Sequence, residues 1–170
     1  MLLDGEEWQA KFREFTKEAW RLETLPQYLV PQEADEFSRF KNGEALVHAA
    51  EDAWTSQIRR HRAEGRITGR VHVVTRPLSD YLRFEFSRYY RHGADAGEEI
   101  RILDVTHRPN PLEGFQDFWF FDRSTVVLMN YEPDGRQINR VLHEGVIDPY
   151  LEAQRIAVAE SVPFQEYVTG

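Results

Sequence analysis

An α/β (or α+β) fold, with a mixed central sheet flanked by helices, is predicted by three features of the sequence. The run RVHVVT at Arg70–Thr75 is rich in β-branched residues and reads as a central strand covered on both faces. Two apolar stretches, FWFF at Phe118–Phe121 and TVVLMNY at Thr125–Tyr131, flank Asp122-Arg123-Ser124, as expected of an antiparallel hairpin. Helical periodicity covers much of the remainder. A length of 170 residues suits one domain, with a helical N-terminal part over 1–64, a sheet-containing core over 65–162 and a tail over 163–170.

Taken in order, Trp8, Phe12, Phe15 and Ala19 form one helical stripe, with Asp4 as its N-cap. In Arg21–Val30, Pro26 interrupts an apolar pattern of Leu22, Leu25, Tyr28 and Val30, which predicts an extended or edge segment. Pro31 suits a first helical position, Phe37 and Phe40 face inward, and Asn42-Gly43 stops that helix. A longer helix is predicted over 45–63, with Leu46, Ala50, Ala53, Trp54, Ile58 and His61 on its buried side. Arg59, Arg60 and Arg62 in its last turns complement the helix dipole.

Gly69–Thr75 is the central strand. Pro77–Tyr90 fits both a strand and a helix, and Pro77 followed by Ser79-Asp80 favours the helix. Tyr81, Glu85, Arg88 and His92 would then line its exposed face, with Glu85 and Arg88 as a surface pair. Gly93 and Gly97 bracket a loop into a strand at Ile100–Val105, followed by a turn around Pro109–Gly114. The hairpin comes next, then a turn at Pro133-Asp134-Gly135 and a strand at Gln137–Leu142. A closing helix begins at Asp148-Pro149, carries Leu151 and Ile156, and ends at Pro163, with a loose tail after Phe164. The parallel core with an added hairpin places the N-terminal helical segment against the sheet.

Of 21 basic residues only Lys11, Lys17 and Lys41 are lysines, and the formal net charge is −8. The charge is unevenly spread: −6 over 1–57, +6 over 58–91 and −8 over 92–170. Internal pairing explains that pattern better than a polyanion surface, so direct nucleic-acid binding is not expected. With no cysteine, disulfides, thiolate catalysis and Cys-type metal sites are excluded. No apolar run is long enough to span a membrane. The opening MLLDGEEWQ has an acid where a signal peptide carries a basic segment, so a cytoplasmic location is expected.

Catalytic signatures are missing: no G-x-S-x-G elbow, phosphate loop, dinucleotide-binding glycine pattern or H-E-x-x-H occurs. None of the six histidines falls at metal-ligand spacing, and neither a metal nor a cofactor is expected. His72 within the central strand reads as a satisfied core or edge histidine. Asp117 and Asp122 flank FWFF on opposite faces and suit turn and strand-end caps. Ligands of open α/β sheets collect beyond the carboxyl ends of strands. A site there would use Arg70, Arg76 or Arg101 as anion-binding forks, Tyr81 as a hydrogen-bonding wall, and Glu85 and Glu98 at the two ends of the helix-loop unit.

The segments RLETLPQYLVPQEADEFSRFKNGE, RVHVVTRPLSDYLRFEF, AGEEIRIL and DFWFFD, in this order, resemble the DUF6879 family of actinobacterial proteins. The resemblance spans about Phe12 to Val158. It implies a regulatory or ligand-sensing role beside helix-turn-helix regulators, and it assigns no residue a catalytic role. Positions that match the family's polar pattern are Glu23, Tyr28, Glu33, Arg70, Tyr81, Glu85, Glu98, Arg101, Asp117, Trp119 and Asp122. The strand-helix-strand-hairpin order is also faintly similar to one half of a phospholipase D-type domain, without the H-x-K-x4-D signature. The expected function is therefore a regulatory module that binds a small ligand or a partner protein, such as a helix-turn-helix regulator. The alternative is an enzyme acting on an anionic or phosphorylated small molecule.

Overall fold

A computed structural model of the chain describes residues 1–45 and 52–169. Seven strands form one mixed sheet: β1 (Glu18–Glu23), β2 (Ile67–Val74), β3 (Glu99–Asp104), β4 (Phe118–Phe121), β5 (Thr125–Tyr131), β6 (Gln137–Leu142) and β7 (Val162–Pro163). Their order across the sheet is β6-β5-β4-β1-β2-β3-β7, with β1, β2 and β3 mutually parallel and the remaining pairs antiparallel. The parallel core with an added antiparallel hairpin is as expected.

Two expectations fail at the N-terminus. Helix α1 (Gly5–Glu14) stops before Ala19, and β1, in place of an edge segment, is the middle strand of the sheet. The part expected to be helical therefore supplies a central strand. Asp122, at the tip of the β4–β5 hairpin, fastens the start of that strand by accepting the backbone N–H groups of Thr16 (2.9 Å), Lys17 (2.7 Å) and Glu18 (3.0 Å).

Side-chain parity divides the sheet into two unlike faces. On one, Trp20, Leu22, Val71, Val73, Leu103, Phe118, Phe120 and Val126 make an apolar core against Ala153 and Ala157 of helix α6 (Asp148–Glu160). The alternate positions of β1 and β2 put Arg21, Glu23, Arg70 and His72 on the other face. Two aromatic clusters border them. Phe12 of α1 packs with Trp119, Phe121 and Met129 on one side. On the other, Tyr81, Leu82, Phe84, Phe86 and Tyr90 pack with Ile100, Ile102 and Phe164.

Helix α2 (Ala34–Lys41) follows a 3-10 turn at Pro31–Glu33, and helix α3 (Ala53–Ala63) begins at a capping box between Asp52 and Thr55. Leu46 and Ala50, expected on the buried side of that helix, lie outside the described residues. The ambiguous segment is helical, as expected: α4 (Asp80–Glu85), a π-helical turn (Phe86–Tyr90) and α5 (Arg91–Ala96) run on from one another, and Ser79 Oγ accepts the Leu82 N–H. Gly93 lies inside α5 instead of opening a loop, and Gly97 ends the helix at φ 111°. The expected exposed face is buried instead: Tyr81, Glu85 and Arg88 turn toward the sheet and α2. Arg88 pairs with Glu36 at 2.6 Å and not with Glu85.

The C-terminal tail is also ordered by packing. Val162–Pro163 pairs with β3, and helix α7 (Phe164–Thr169) buries Phe164 while Tyr167 donates to Asp104 at 2.7 Å. Between β1 and α2, the segment over 24–30 is pinned to the turn between β5 and β6, where Leu29 N–H donates to Gly135 O at 3.0 Å. Gly135 is required there, because at φ 96° a Cβ would meet Gln27 O at 2.4 Å. That anchorage lowers Tyr28 into the aromatic layer.

Candidate functional site

The polar face of β1 and β2 forms the floor of a cavity of about 610 Å³. Helix α4 and the Pro31–Glu33 turn close one side, α1 and α3 the other, and the segment over 28–30 a third. Its walls are aromatic, with Trp8, Trp54, Trp119, Tyr28, Tyr81 and Tyr131 prominent among them. The dimensions and lining are those of a small-molecule site.

Charge on the floor is organised around Glu23, which is 2% exposed. It accepts from Arg70 Nη1 at 3.0 Å and from Tyr90 Oη at 2.6 Å, while Arg21 Nε stands at 3.8 Å. Burial alone would raise the Glu23 carboxyl, but Arg21, Arg70, His72 and the Tyr90 hydroxyl outweigh it and hold the group well below the usual carboxylate range. Arg70 also donates from Nε to Glu98 Oε2 at 2.6 Å, and Glu98 Oε1 accepts from Trp54 Nε1 at 3.0 Å. Arg70 is thus held by two carboxylates.

Arg21 is held more loosely. Its guanidinium lies between the rings of Tyr28 (5.4 Å) and Trp119 (5.8 Å) and donates to Tyr131 Oη at 2.8 Å. Asp117 stands 3.8 Å away, already accepting from Thr24 N (2.9 Å), Thr24 Oγ1 (2.6 Å) and the Tyr28 hydroxyl. Burial pushes the Asp117 carboxyl up despite these partners.

The acidic wall is under-compensated. Glu85 is 5% exposed and its Oε1 has no hydrogen-bond partner. Burial and the nearby Glu23 push its carboxyl up. Glu33 accepts from Tyr81 Oη at 2.8 Å, and burial together with Glu85 raises its carboxyl to about 7.

Among the described residues, Glu23, His72 and Glu85 are the group whose ligand-type atoms converge, lying within 4.8 Å of one another. They do not suit a metal ion. His72 is fully buried, with Nδ1 2.8 Å from Tyr90 Oη and Nε2 2.8 Å from Leu25 O, so both ring nitrogens are engaged. Glu23 Oε1 already takes two donors, and Arg70 lies alongside. The run Leu25 O–His72–Tyr90–Glu23 holds three hydrogen bonds between two accepting ends. These residues form a closed proton-linked network instead.

Of the residues expected at a site, Arg70, Tyr81, Glu85 and Glu98 converge on this cavity, and Arg76 and Arg101 do not. Arg101 is the register partner of Val71, which places it on the apolar-core side of the sheet, where it bonds to Ser161 (Nε–Oγ 3.0 Å). Arg76 lies past the end of β2, largely exposed, and binds Tyr167 Oη at 2.8 Å. Local reading of the residues missed Arg21 and Tyr90 altogether, took Tyr28 for an extended segment and Asp117 for a strand-end cap, whereas His72 is the satisfied core histidine expected. The usable signal was R-x-E at Arg21–Glu23 and R-x-H at Arg70–His72, polar pairs at strand spacing whose intervening residues are apolar.

Sheet order and flanking helices together define an α/β fold built on a mixed seven-stranded sheet. The structure superimposes on a phospholipase D family member, Nuc from Salmonella typhimurium, with a TM-score of 0.51 and 9% identity, over 91% of this chain and 86% of that one. Similarity at that identity concerns the fold alone, and the H-x-K-x4-D signature is absent: two residues after His72 stands Val74, and seven after it Ser79. The family model described as a domain of unknown function (DUF6879) matches residues 6–169, and the chain belongs to that family. No curated protein matches the chain. No helix among the described residues is long and apolar enough to cross a membrane.

Proposed function

We propose that the protein is a regulatory module that binds a small molecule in the cavity above Arg21 and Arg70. The observation carrying this reading is the cavity of about 610 Å³, walled by aromatic rings and floored by buried charges whose network is incomplete. Natural cores leave few buried polar atoms unpaired, and incompleteness at a concave surface is what a ligand supplies. The family resemblance supports a setting beside an actinobacterial helix-turn-helix regulator, with occupancy of the cavity altering that partnership.

An enzyme acting on an anionic small molecule has less support. His72 has both nitrogens engaged and no exposed surface, and the arginine nearest to it is held by two carboxylates. Direct nucleic-acid binding is opposed by the formal net charge of −8 and by the carboxylate partners of Arg62, Arg66, Arg70, Arg76, Arg83 and Arg88 in the basic segment.

A thermal-shift screen of small polar and aromatic metabolites tests the reading. Hits should raise the melting temperature in a saturable manner and lose their effect in Leu29→Trp, which fills the rim of the cavity at a position already 45% exposed. Failure of every compound to stabilise the wild type, or equal stabilisation of Leu29→Trp, would overturn it.

A further inference from the structure

The cavity lining contains unpartnered buried polar atoms of both charge signs: Glu85 Oε1 on the acidic side, and Arg21 Nε with Arg140 Nε on the basic side. Arg140 lies farther out on β6, over the ring of Trp8 at 4.9 Å. Glu85 and Arg21 are neighbours across the floor, since Glu23 is 3.8 Å from Arg21 Nε and within 4.8 Å of Glu85. Glu23 completes neither of them, being occupied by Arg70 and Tyr90. Glu33 adds a second carboxylate to the acidic side, with one hydrogen bond, from Tyr81. A ligand with only a positive group would leave the arginine unfilled, and one with only a negative group would leave Glu85 unfilled.

We propose that the cavity binds a small zwitterion of the α-amino-acid type, its ammonium taken by Glu85 and Glu33 and its carboxylate by Arg21. This rests on the small-molecule reading above and names the ligand class. The two ends differ in construction. The Arg21 guanidinium lies 5.4 Å from the Tyr28 ring centroid and 5.8 Å from that of Trp119, donates to Tyr131, and keeps Nε as the donor without a partner. The Trp8, Phe12, Trp54 and Met129 side chains line the remaining volume and provide an apolar seat for a side chain.

Proton release should accompany binding. Glu85 is faced by Glu23 from β1, Arg70 and His72 from β2, Tyr81 on its own helix, Tyr90 from the π-helical turn and Glu33 from the turn before α2. With Glu33 raised to about 7 and Glu85 raised by burial, the acidic wall holds protons in mildly acid solution that an incoming ammonium displaces. Affinity therefore rises with pH until the amine itself deprotonates.

Titration calorimetry of the full chain with the proteinogenic L-amino acids, phenethylamine and 3-phenylpropionate tests the proposal. At least one amino acid should bind about tenfold or more tightly than either single-charge compound. Its affinity should rise roughly tenfold from about pH 6 to about pH 8, with proton release read from buffers of different ionisation heat. Glu85→Gln should weaken binding about tenfold without lowering the melting temperature, because it removes an uncompensated charge. Equal binding of phenethylamine or 3-phenylpropionate, or binding without proton release, would overturn the zwitterion assignment. Absence of amino-acid binding alongside confirmed screen hits would also overturn it and leave the small-molecule reading intact, whereas absence of any hit removes both.

Discussion

Arg21 and Arg70 are register partners on adjacent parallel strands, so two arginines rise from neighbouring positions on one face of the sheet, with Glu23 within 3.8 Å of one and 3.0 Å of the other. Such a pair persists because carboxylates surround it: Glu23 between them, Glu98 on the outer side of Arg70 and Asp117 near Arg21. Removing one member of a buried charge network is costly, because the partners stay desolvated and lose their compensation.

Glu23→Gln keeps the shape of the side chain and removes its charge. It should destabilise the protein by about 3–5 kcal/mol, measured by urea denaturation at neutral pH. Glu152→Gln, on the exposed Arg155–Glu152 pair of α6, should cost about 0–1 kcal/mol in the same assay. Equal effects would show that the buried network is not energetically coupled.

Gly93 tests how Glu98 reaches Arg70. A Cβ at this position would stand 2.8 Å from Glu98 Oε1, so Gly93→Ala should displace the carboxylate from both Trp54 and Arg70. A loss of about 1–3 kcal/mol is expected. In a double-mutant cycle the loss should largely vanish on a Glu98→Ala background, which removes the contacting carboxylate, and full additivity would place the cost elsewhere in α5.

Asp122 holds the first residues of the central strand from the hairpin tip. Burial favours its neutral form, yet the amides of Thr16, Glu18 and Lys17 outweigh that and hold the carboxyl below the usual aspartate range. Asp122→Ala should cost about 1–3 kcal/mol, and hydrogen exchange should accelerate at residues 16–18 before it does in β2. Because the folded carboxyl is the stronger acid, its contribution is present above the ordinary aspartate range and fades as the pH falls through the folded value. The variant and the wild type should therefore converge in stability as the pH falls below the ordinary aspartate range.

The strands with apolar alternation were legible in the sequence. The β2 run and the FWFF hairpin stand where their patterns indicate, and Ser79 starts the expected helix. The errors share a physical origin: the assumption that polar positions point to water. Pro26 made the segment after Arg21 look like an edge and left Arg21 and Glu23 unread as a buried pair, while Tyr81, Glu85 and Arg88 made one face of the helix look exposed. Both surfaces instead face each other across a buried polar layer, where each neutralises the other's charge. Arg101 was misplaced for a separate reason. Strand parity tells which residues share a face, but which face holds Arg70 depends on the β2–β3 register, and that is a tertiary fact. The phenols of Tyr28 and Tyr90 were hidden because they join the network only through the pinned segment over 24–30 and the π-helical turn.

Glu33 gives the polar layer a signature in the pH dependence of folding. Burial and the proximity of Glu85 raise its carboxyl from 4.5 in the free side chain to about 7 in the folded protein. Between those values the folded state binds more protons than the unfolded chain, so stability falls as the pH rises. The favourable contribution is complete below about pH 4.5 and is lost by the time the pH has passed about 7. Glu85, raised in the same sense, adds to that slope, while Glu23 and Asp122 act oppositely in stronger acid. Maximum stability should therefore lie in mildly acidic solution, between about pH 4.5 and pH 6. Glu33→Gln removes one titrating group and keeps an acceptor for the Tyr81 hydroxyl. Thermal and urea denaturation across pH 4–9 should show the variant close to the wild type at the acid end and more stable by on the order of 2–3 kcal/mol above about pH 7.5. A variant whose stability runs parallel to the wild type over that range would show that Glu33 ionises as an ordinary surface carboxylate, and that the acidic wall of the cavity carries no stored repulsion for a ligand to relieve.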